Sequence, residues 1–221
     1  SGMRIWHRLV RLLLVAVACA AGPLGPASTA RAEPLSESFV DPRDGASYPL
    51  TRIAGHTWFA RNLGYATPGS HCNADLPENC ERYGRLYRWE DALTACPSGW
   101  HLSTESEWQA LERALGIPER EIEGRRNRGT LEGRRLKPGG DTGFEVQYGG
   151  WRRYDDRTFK EPGTASAFWT ATESDPLHAW HRDVDDGDDM IWRSPVVKHY
   201  GLSVRCVKNR YEADEYPGDD T

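Results

Sequence analysis

The chain has 221 residues, with 28 basic and 33 acidic side chains and a formal net charge of −5. That length suits one hydrophobic core of ordinary size. The acidic balance excludes a nucleic-acid surface, which needs a concentrated positive patch to displace phosphate counterions.

Ser1-Gly2 before Met3 reads as an expression scar. Arg4, His7, Arg8 and Arg11 precede and interrupt an apolar run over 9–21 that is too short to span a bilayer and sits where a secretory signal belongs. Export is therefore expected, to the periplasm, the cell surface or the medium. Ala30-Arg31-Ala32 offers a signal peptidase its small-x-small pattern, which predicts a signal peptide over 1–32 and a single domain over 33–210. Cleavage there takes Arg4, Arg8, Arg11 and Arg31 from the 28 basic residues and leaves 24 against 33 acidic ones, a formal −9. The alternative is a lipobox at Ala16-Val17-Ala18-Cys19, which would put a lipid on Cys19 and make 22–32 a tether. Residues 211–221, rich in Glu and Asp, read as a disordered acidic tail.

Asp41 to Gly45 is a turn, and Tyr48, Ile53 and Trp58-Phe59 around Ala54-Gly55-His56 predict a hairpin. Trp89, Ala92 and Leu93 recur at i, i+3 and i+4, with Glu90 and Asp91 in the first turn, so a helix is predicted over 89–95. Pro97 cannot continue it, and Gly99 turns the chain. Thr104-Glu105-Ser106-Glu107 is a capping box that opens a second helix burying Trp108, Leu111 and Leu115; Gly116 and Pro118 end it. Over 119–137 the composition is charged and broken by Gly, and is read as an insertion or long loop. The short aromatic and β-branched runs 144–148, 151–154, 167–172, 178–185, 190–194 and 201–207 are predicted strands, making the fold class α+β.

Four cysteines follow the signal, and an even count in an exported chain reads as disulfides with three possible connectivities. Cys72 and Cys80 flank a polar, turn-rich loop that a local bridge would staple, which leaves Cys96 to Cys206. Zinc is disfavoured because Cys-x₇-Cys is not ribbon spacing.

Several motifs carry a resemblance: Asp41-Pro-Arg-Asp-Gly45, Gly55-His-Thr-Trp-Phe-Ala-Arg-Asn-Leu-Gly-Tyr-Ala-Thr-Pro-Gly-Ser70, Tyr83-Gly-Arg-Leu-Tyr-Arg-Trp89, Cys96-Pro-Ser-Gly-Trp-His-Leu102, Phe168-Trp-Thr-Ala-Thr-Glu173 and Gly201-Leu-Ser-Val-Arg-Cys-Val207. In order, they resemble the Fibrobacter succinogenes major paralogous domain family of exported bacterial proteins. Leu102-Ser-Thr-Glu-Ser-Glu-Trp108 is also similar to the motif of the formylglycine-generating-enzyme branch of the C-type-lectin-like superfamily. The resemblance implies two helices packed on a twisted antiparallel sheet, paired termini, and a first-helix cysteine bridged to the last strand. The calcium-ligand triplets of sugar-binding lectins and the oxidase cysteine pair are missing, so neither activity is implied.

Asp183, Asp185 and Asp188 lie in an Asp-rich run that invites a weak calcium reading, but the register is wrong for an EF-hand. Asp186-Gly187 is read instead as a type I′ turn that sets Asp185 against Asp188. Around it Trp180, His181, Arg182, Trp192, Arg193, His199 and Tyr200 form the candidate ligand-binding set, since Trp, Tyr and Arg anchor interfaces. The competing reading turns Trp180 and Trp192 into the core. No Gly-x-Ser-x-Gly, His-Glu-x-x-His or unpaired domain cysteine suggests an enzyme, and no cofactor is expected. The function expected is a non-catalytic binding module for an extracellular protein or carbohydrate. A structural or adhesive cell-surface lipoprotein subunit is the first alternative, and a divergent hydrolase the second.

Overall fold

The structure, a computed structural model, describes residues 37–210; the expected signal, Cys19 and the acidic tail lie outside the described residues. The chain opens with β1 (Ser38–Val40), β2 (Ser47–Ile53) and β3 (His56–Phe59). Ile53 pairs with His56 across Ala54-Gly55, both at positive φ, the backbone that a two-residue hairpin of primed type requires. Next come α1 (Pro77–Tyr83), α2 (Trp89–Ala95), β4 (Trp100–Leu102), α3 (Glu105–Leu115), α4 (Glu119–Ile122) and β5 (Arg126–Arg128). The second half supplies β6 (Trp151–Arg152), β7 (Phe159–Lys160), β8 (Ala165–Asp175), β9 (His178–Asp185), β10 (Ile191–Val197) and β11 (Cys206–Lys208). The strands form a sheet of order β1-β2-β3-β11-β4, a second of order β5-β10-β9-β8, and the ribbon β6-β7. Every strand pairing within them is antiparallel, so the class is α+β.

Three local expectations are corrected. The polar loop between Cys72 and Cys80 holds a 3₁₀ turn at Asn73–Asp75 and the first residues of α1, with Pro77 at a helix start where its missing N–H costs nothing. The 119–137 segment is not a bare loop, since α4, the edge strand β5 and a 3₁₀ turn at Glu132–Leu136 lie within it. The run 144–148 does alternate inward, with Phe144 and Val146 buried, yet it is no strand. Its carbonyls at Phe144 and Glu145 accept from the Arg205 guanidinium rather than from a neighbouring strand.

Arg205 is fully buried, and burial pushes its pKa down to about 9, which still leaves it charged at neutral pH. Asn62 Oδ1 and the Phe59 carbonyl complete its acceptors, and the Phe144 ring lies 4.2 Å from the guanidinium carbon. Bridges Cys72–Cys80 and Cys96–Cys206 are both formed, and the second ties the end of α2 to β11 across 110 residues.

Helix α3 packs one face against Trp58 and Val207 of the first sheet and Phe168, Val184 and Ile191 of the second. Its capping box is present: the Thr104 hydroxyl accepts from the Glu107 amide, and the Glu107 carboxylate accepts from the Thr104 amide. The same inward stripe that buries Trp108, Leu111 and Leu115 also carries Glu105 and Glu112, two turns apart. Arg182 Nε donates to Glu112 at 2.6 Å, and its two terminal nitrogens donate to Glu105, each at 2.8 Å. Arg193 Nε donates to Glu105 at 2.7 Å, and Arg128 clamps Glu112 through both terminal nitrogens. Burial alone would raise the Glu105 carboxyl; the bonds and charges of Arg182 and Arg193 overcome it and hold the pKa below the usual range. Removing one partner of such a cluster strands buried charge at a cost of about 3–5 kcal/mol. Arg182→Ala is therefore expected to lower unfolding stability by about that much, read from the urea midpoint. A loss below about 1 kcal/mol would show that the cluster is not what holds α3 to the sheet.

Beside the cap, His101 Nε2 lies 2.9 Å from Glu107 and Nδ1 lies 2.7 Å from Asn209 Oδ1. The Glu107 bond raises the His101 pKa against the opposing effect of burial. A raised histidine stabilises the fold fully below the unfolded value near 6.5, and that contribution fades as pH rises through the folded value. The melting-temperature gap between wild type and His101→Gln should accordingly be wider at pH 5.5 than at pH 8.5, a window of about three units around that value. An equal gap at both ends would remove the charged pair from the account.

Candidate binding site on the open face of the second sheet

Side chains alternate across a strand, so the sheet β5-β10-β9-β8 sorts its residues into two sets. Arg182 pairs with Arg193 across β9 and β10, and both point to α3, together with Val184, Ile191 and Phe168. His181, Asp183 and Asp185 on β9 share the opposite face with their register partners Ser194 and Trp192 on β10 and Ala165 and Ala167 on β8.

This sorting divides the candidate ligand-binding set. Arg182 is 0% exposed and Arg193 5%, so neither offers a surface anchor; both are spent on Glu105 and Glu112. Trp180 lies on the same side as these arginines, with the Arg193 guanidinium 3.7 Å and the Arg125 guanidinium 5.4 Å from its ring centre. His199 and Tyr200 follow β10 and gather with Tyr154, whose ring lies 6.3 Å and 5.5 Å from theirs. Trp192 and His181 lie on the opposite face, His181 itself buried beside its register partner Trp169. The indole N–H of Trp192 donates to the Ser194 hydroxyl at 2.9 Å, which fixes the ring on that face.

There the structure holds a cleft of about 220 Å³ lined by Trp151, Trp192, Met190, Ala165, Asn127 and the carboxylates of Glu161, Asp183, Asp185 and Asp188. Trp151, Glu161 and Asn127 come from distant stretches of chain and were not among the expected site residues. Trp151 reaches the cleft because Gly150, at positive φ, bridges Ser166; a Cβ at Gly150 would sit 1.9 Å from the Lys160 carbonyl oxygen. Tryptophan at the start of a two-residue strand, directly after a Gly pair, was the signal available in the sequence.

The tip joining β9 and β10 differs from the two-residue turn expected. Asp183 pairs with Trp192, which leaves 186–190 as the connection, and neither Asp186 nor Gly187 has the positive φ of a type I′ turn. Asp185 and Asp188 are therefore not set against each other as a ladder pair. Each accepts instead from a backbone amide two residues on, Asp185 from Gly187 at 2.7 Å and Asp188 from Met190 at 2.8 Å. Asp189 accepts from Arg134 and Lys137, both at 3.0 Å, and the Lys137 ammonium also donates to the Asp186 carbonyl. The basic insertion thus docks on the acidic tip.

Among the described residues no group of three His, Cys, Asp or Glu side chains is placed to hold a metal ion, Asp183, Asp185 and Asp188 included. A calcium ion that bound only the folded state would stabilise it by an amount that grows with the logarithm of its concentration over Kd. The melting temperature should therefore stay within about 1 °C between EDTA and millimolar calcium, since a calcium concentration 100-fold over Kd would contribute about 2.7 kcal/mol. A rise of several degrees would restore the calcium reading.

With this geometry in place, the chain compares directly with known families. The model of the Fibrobacter succinogenes major domain matches residues 51–208. The chain belongs to that family. The matched span of this Fibrobacter succinogenes major domain runs from β2 to the end of β11 and takes in α3, its arginine partners and the cleft. Comparison with curated proteins and with solved structures gives no match.

Proposed function

We propose that this Fibrobacter succinogenes major domain is an exported, non-catalytic binding module on a C-type-lectin-like scaffold, with the Trp151–Trp192 cleft as its ligand seat. The supporting observation is the cleft itself: two indoles and a set of polar side chains line a concave patch on the sheet face turned away from α3. Concavity with a few convergent polar groups is the usual form of a binding site. The aromatics supply rigid contact area, and an extracellular protein or carbohydrate is the class of partner such a surface serves.

Binding is favoured over hydrolysis by what the carboxylates already do. Asp185 and Asp188 each hold the backbone of their own turn, and Asp183 lies 3.3 Å from His181 Nε2. Export is supported by the two disulfides, which persist in oxidising compartments.

The test is ligand capture on protein and glycan arrays by wild type and Trp192→Ala. We expect loss of capture by about tenfold or more, as for a truncated hot spot, with melting shifted by no more than a few degrees. Capture that is unchanged by Trp192→Ala and by Trp151→Ala would place the ligand elsewhere.

A further inference from the structure

We infer that the face of the β6-β7 ribbon turned away from Trp151 binds an acidic polysaccharide, whose carboxylate or sulfate groups meet the guanidinium groups of Arg88, Arg152 and Arg157. Trp151 pairs with Lys160 across the ribbon and Arg152 with Phe159, so alternation puts Arg152 and Phe159 on the side opposite to Trp151. The surface is therefore separate from the cleft and does not rest on it as the ligand seat. Backbone bridges join Arg152 to Gly201, Leu202 to Tyr87 and Leu86 to His71, which continues the ribbon into a sheet-like face. Gly201 brings its flanking residues together on that face: a Cβ there would lie 3.0 Å from the Arg152 Cβ and 3.4 Å from the Leu86 Cβ. The centre of the Phe159 ring lies 6.4 Å from that of His71 and 5.6 Å from the Arg152 guanidinium carbon. Arg88, extended and two residues beyond Leu86, shares its side.

The positive charge on this face is not answered by the protein. Arg88 and Arg157 are exposed, and among the described residues no acceptor takes a hydrogen bond from the side chain of Arg88, Arg152 or Arg157. The acids of the ribbon loop are committed, since Asp155 and Asp156 pair with Arg153. Asp75, 3.4 Å from His71, is the one carboxylate felt at Arg152. Three cations thus stand against one anion. Burial lowers the Arg152 pKa, and Arg157 and Arg88 lower it further against the pull of Asp75. Burial lowers that of His71 too, and Arg152 and Arg88 add to it although Asp75 lies beside the ring. A field of one sign over a surface raises the local concentration of the opposite charge.

Two further features select the class of anion. Arg88 and Arg152 stand on segments with 201–202 between them, two strand spacings or about 10 Å apart. A single small ion does not bridge that distance, whereas a polymer with repeated oxyanions meets each guanidinium fork in turn, bidentately. Aromatic rings border the arginines: Tyr154 is 45% exposed and gathers with His199 at 6.3 Å and with Tyr200, the chain neighbour of Gly201, at 5.5 Å. Such rings combine an apolar face with a polar tip, which suits the apolar face and hydroxyls of a sugar better than the short aliphatic stem of an acidic peptide.

The experiment titrates the full chain calorimetrically with four probes: a galacturonate oligomer, a heparin-derived oligosaccharide, a neutral maltooligosaccharide and polyglutamate. One or both acidic sugars should bind, the preference telling carboxylate from sulfate. Their affinity should fall about tenfold or more between about 0.05 and about 0.5 M NaCl, as the screening length shortens. Arg88→Gln combined with Arg157→Gln removes two exposed charges and should weaken that binding about tenfold or more, with the melting temperature retained. Should the pair fail to fold, Arg88→Gln alone takes its place, with an expected loss of about threefold or more. Arg113→Gln with Arg120→Gln removes equal charge from arginines already paired to Glu119 and Glu121, and should leave binding unchanged. An equal loss from that control traces the effect to net charge and overturns the site, as does undiminished binding by the Arg88 and Arg157 variant. Polyglutamate held as tightly overturns the choice of a polysaccharide, and the maltooligosaccharide held as tightly overturns the role of the charges. Silence with both acidic sugars overturns the inference.

Discussion

The fold depends on a cluster of five charged side chains, Glu105 and Glu112 from α3 against Arg128, Arg182 and Arg193 from the second sheet, all buried. Desolvating this many charges is costly, and the geometry answers with bidentate pairing: Arg182 meets both glutamates, Arg128 grips Glu112, and Arg193 adds the Glu123 carbonyl. Its physical effect is specificity more than net stability. An apolar α3 face could slide or rotate on the sheet, whereas two carboxylates one heptad apart engage these arginines in one register. That register sets which sheet face points to α3 and therefore which face stays open.

The two faces of β9 and β10 thus have opposite tasks. One is committed to α3 through arginines whose neighbours are Val184, Ile191 and Phe168. The other places Trp192, Asp183 and Asp185 along a cleft that the ribbon strand β6 borders through Trp151. Buried ion pairs on the first face pin the strands that carry the second, so the side chains beside the cleft are held more tightly than on a loop. The Cys96–Cys206 bridge and the Arg205 anchor do the same for the first sheet, joining α2, β11 and the 144–146 segment.

Much of this was legible in the residues. The capping box, the Gly116 stop, both disulfide pairings and most strands of the second half follow from local spacing, because each involves neighbours in sequence or a count that admits few solutions, whereas the run 144–148 gives its carbonyls to Arg205 and forms no strand. The structure divides the candidate set, with Arg182 and Arg193 buried against α3 and Trp192 beside the cleft. Alternation along 178–185 was visible, but the inward face was assigned by polarity, and Arg182 and Arg193 looked like surface anchors. The correcting signal lay elsewhere: Glu105 and Glu112 fall on the same helical stripe as Trp108, Leu111 and Leu115, and acids on a core stripe require buried cations. Trp151, Glu161 and Asn127 carried no such sign, since their meeting depends on tertiary packing of segments far apart in sequence.

The Asp-rich tip shows how local charge and tertiary contact are balanced. Had Asp186-Gly187 formed a tight primed turn, Asp185 and Asp188 would face one another and the basic insertion would have no acceptor in reach. The longer connection, 186–190, turns Asp189 toward Arg134 and Lys137 and frees the Asp186 carbonyl for Lys137. Asp186 itself takes the Tyr148 hydroxyl at 3.1 Å, and burial together with that carboxylate raises the Tyr148 pKa. Negative charge on one side of the tip is thereby neutralised by the insertion, while Asp183, Asp185 and Asp188 on the cleft side have no arginine or lysine hydrogen-bonded to them. The insertion therefore acts on the site by subtraction. It neutralises Asp189 and pins the tip, so that the remaining carboxylates are held on a fixed backbone beside Trp151 and Trp192.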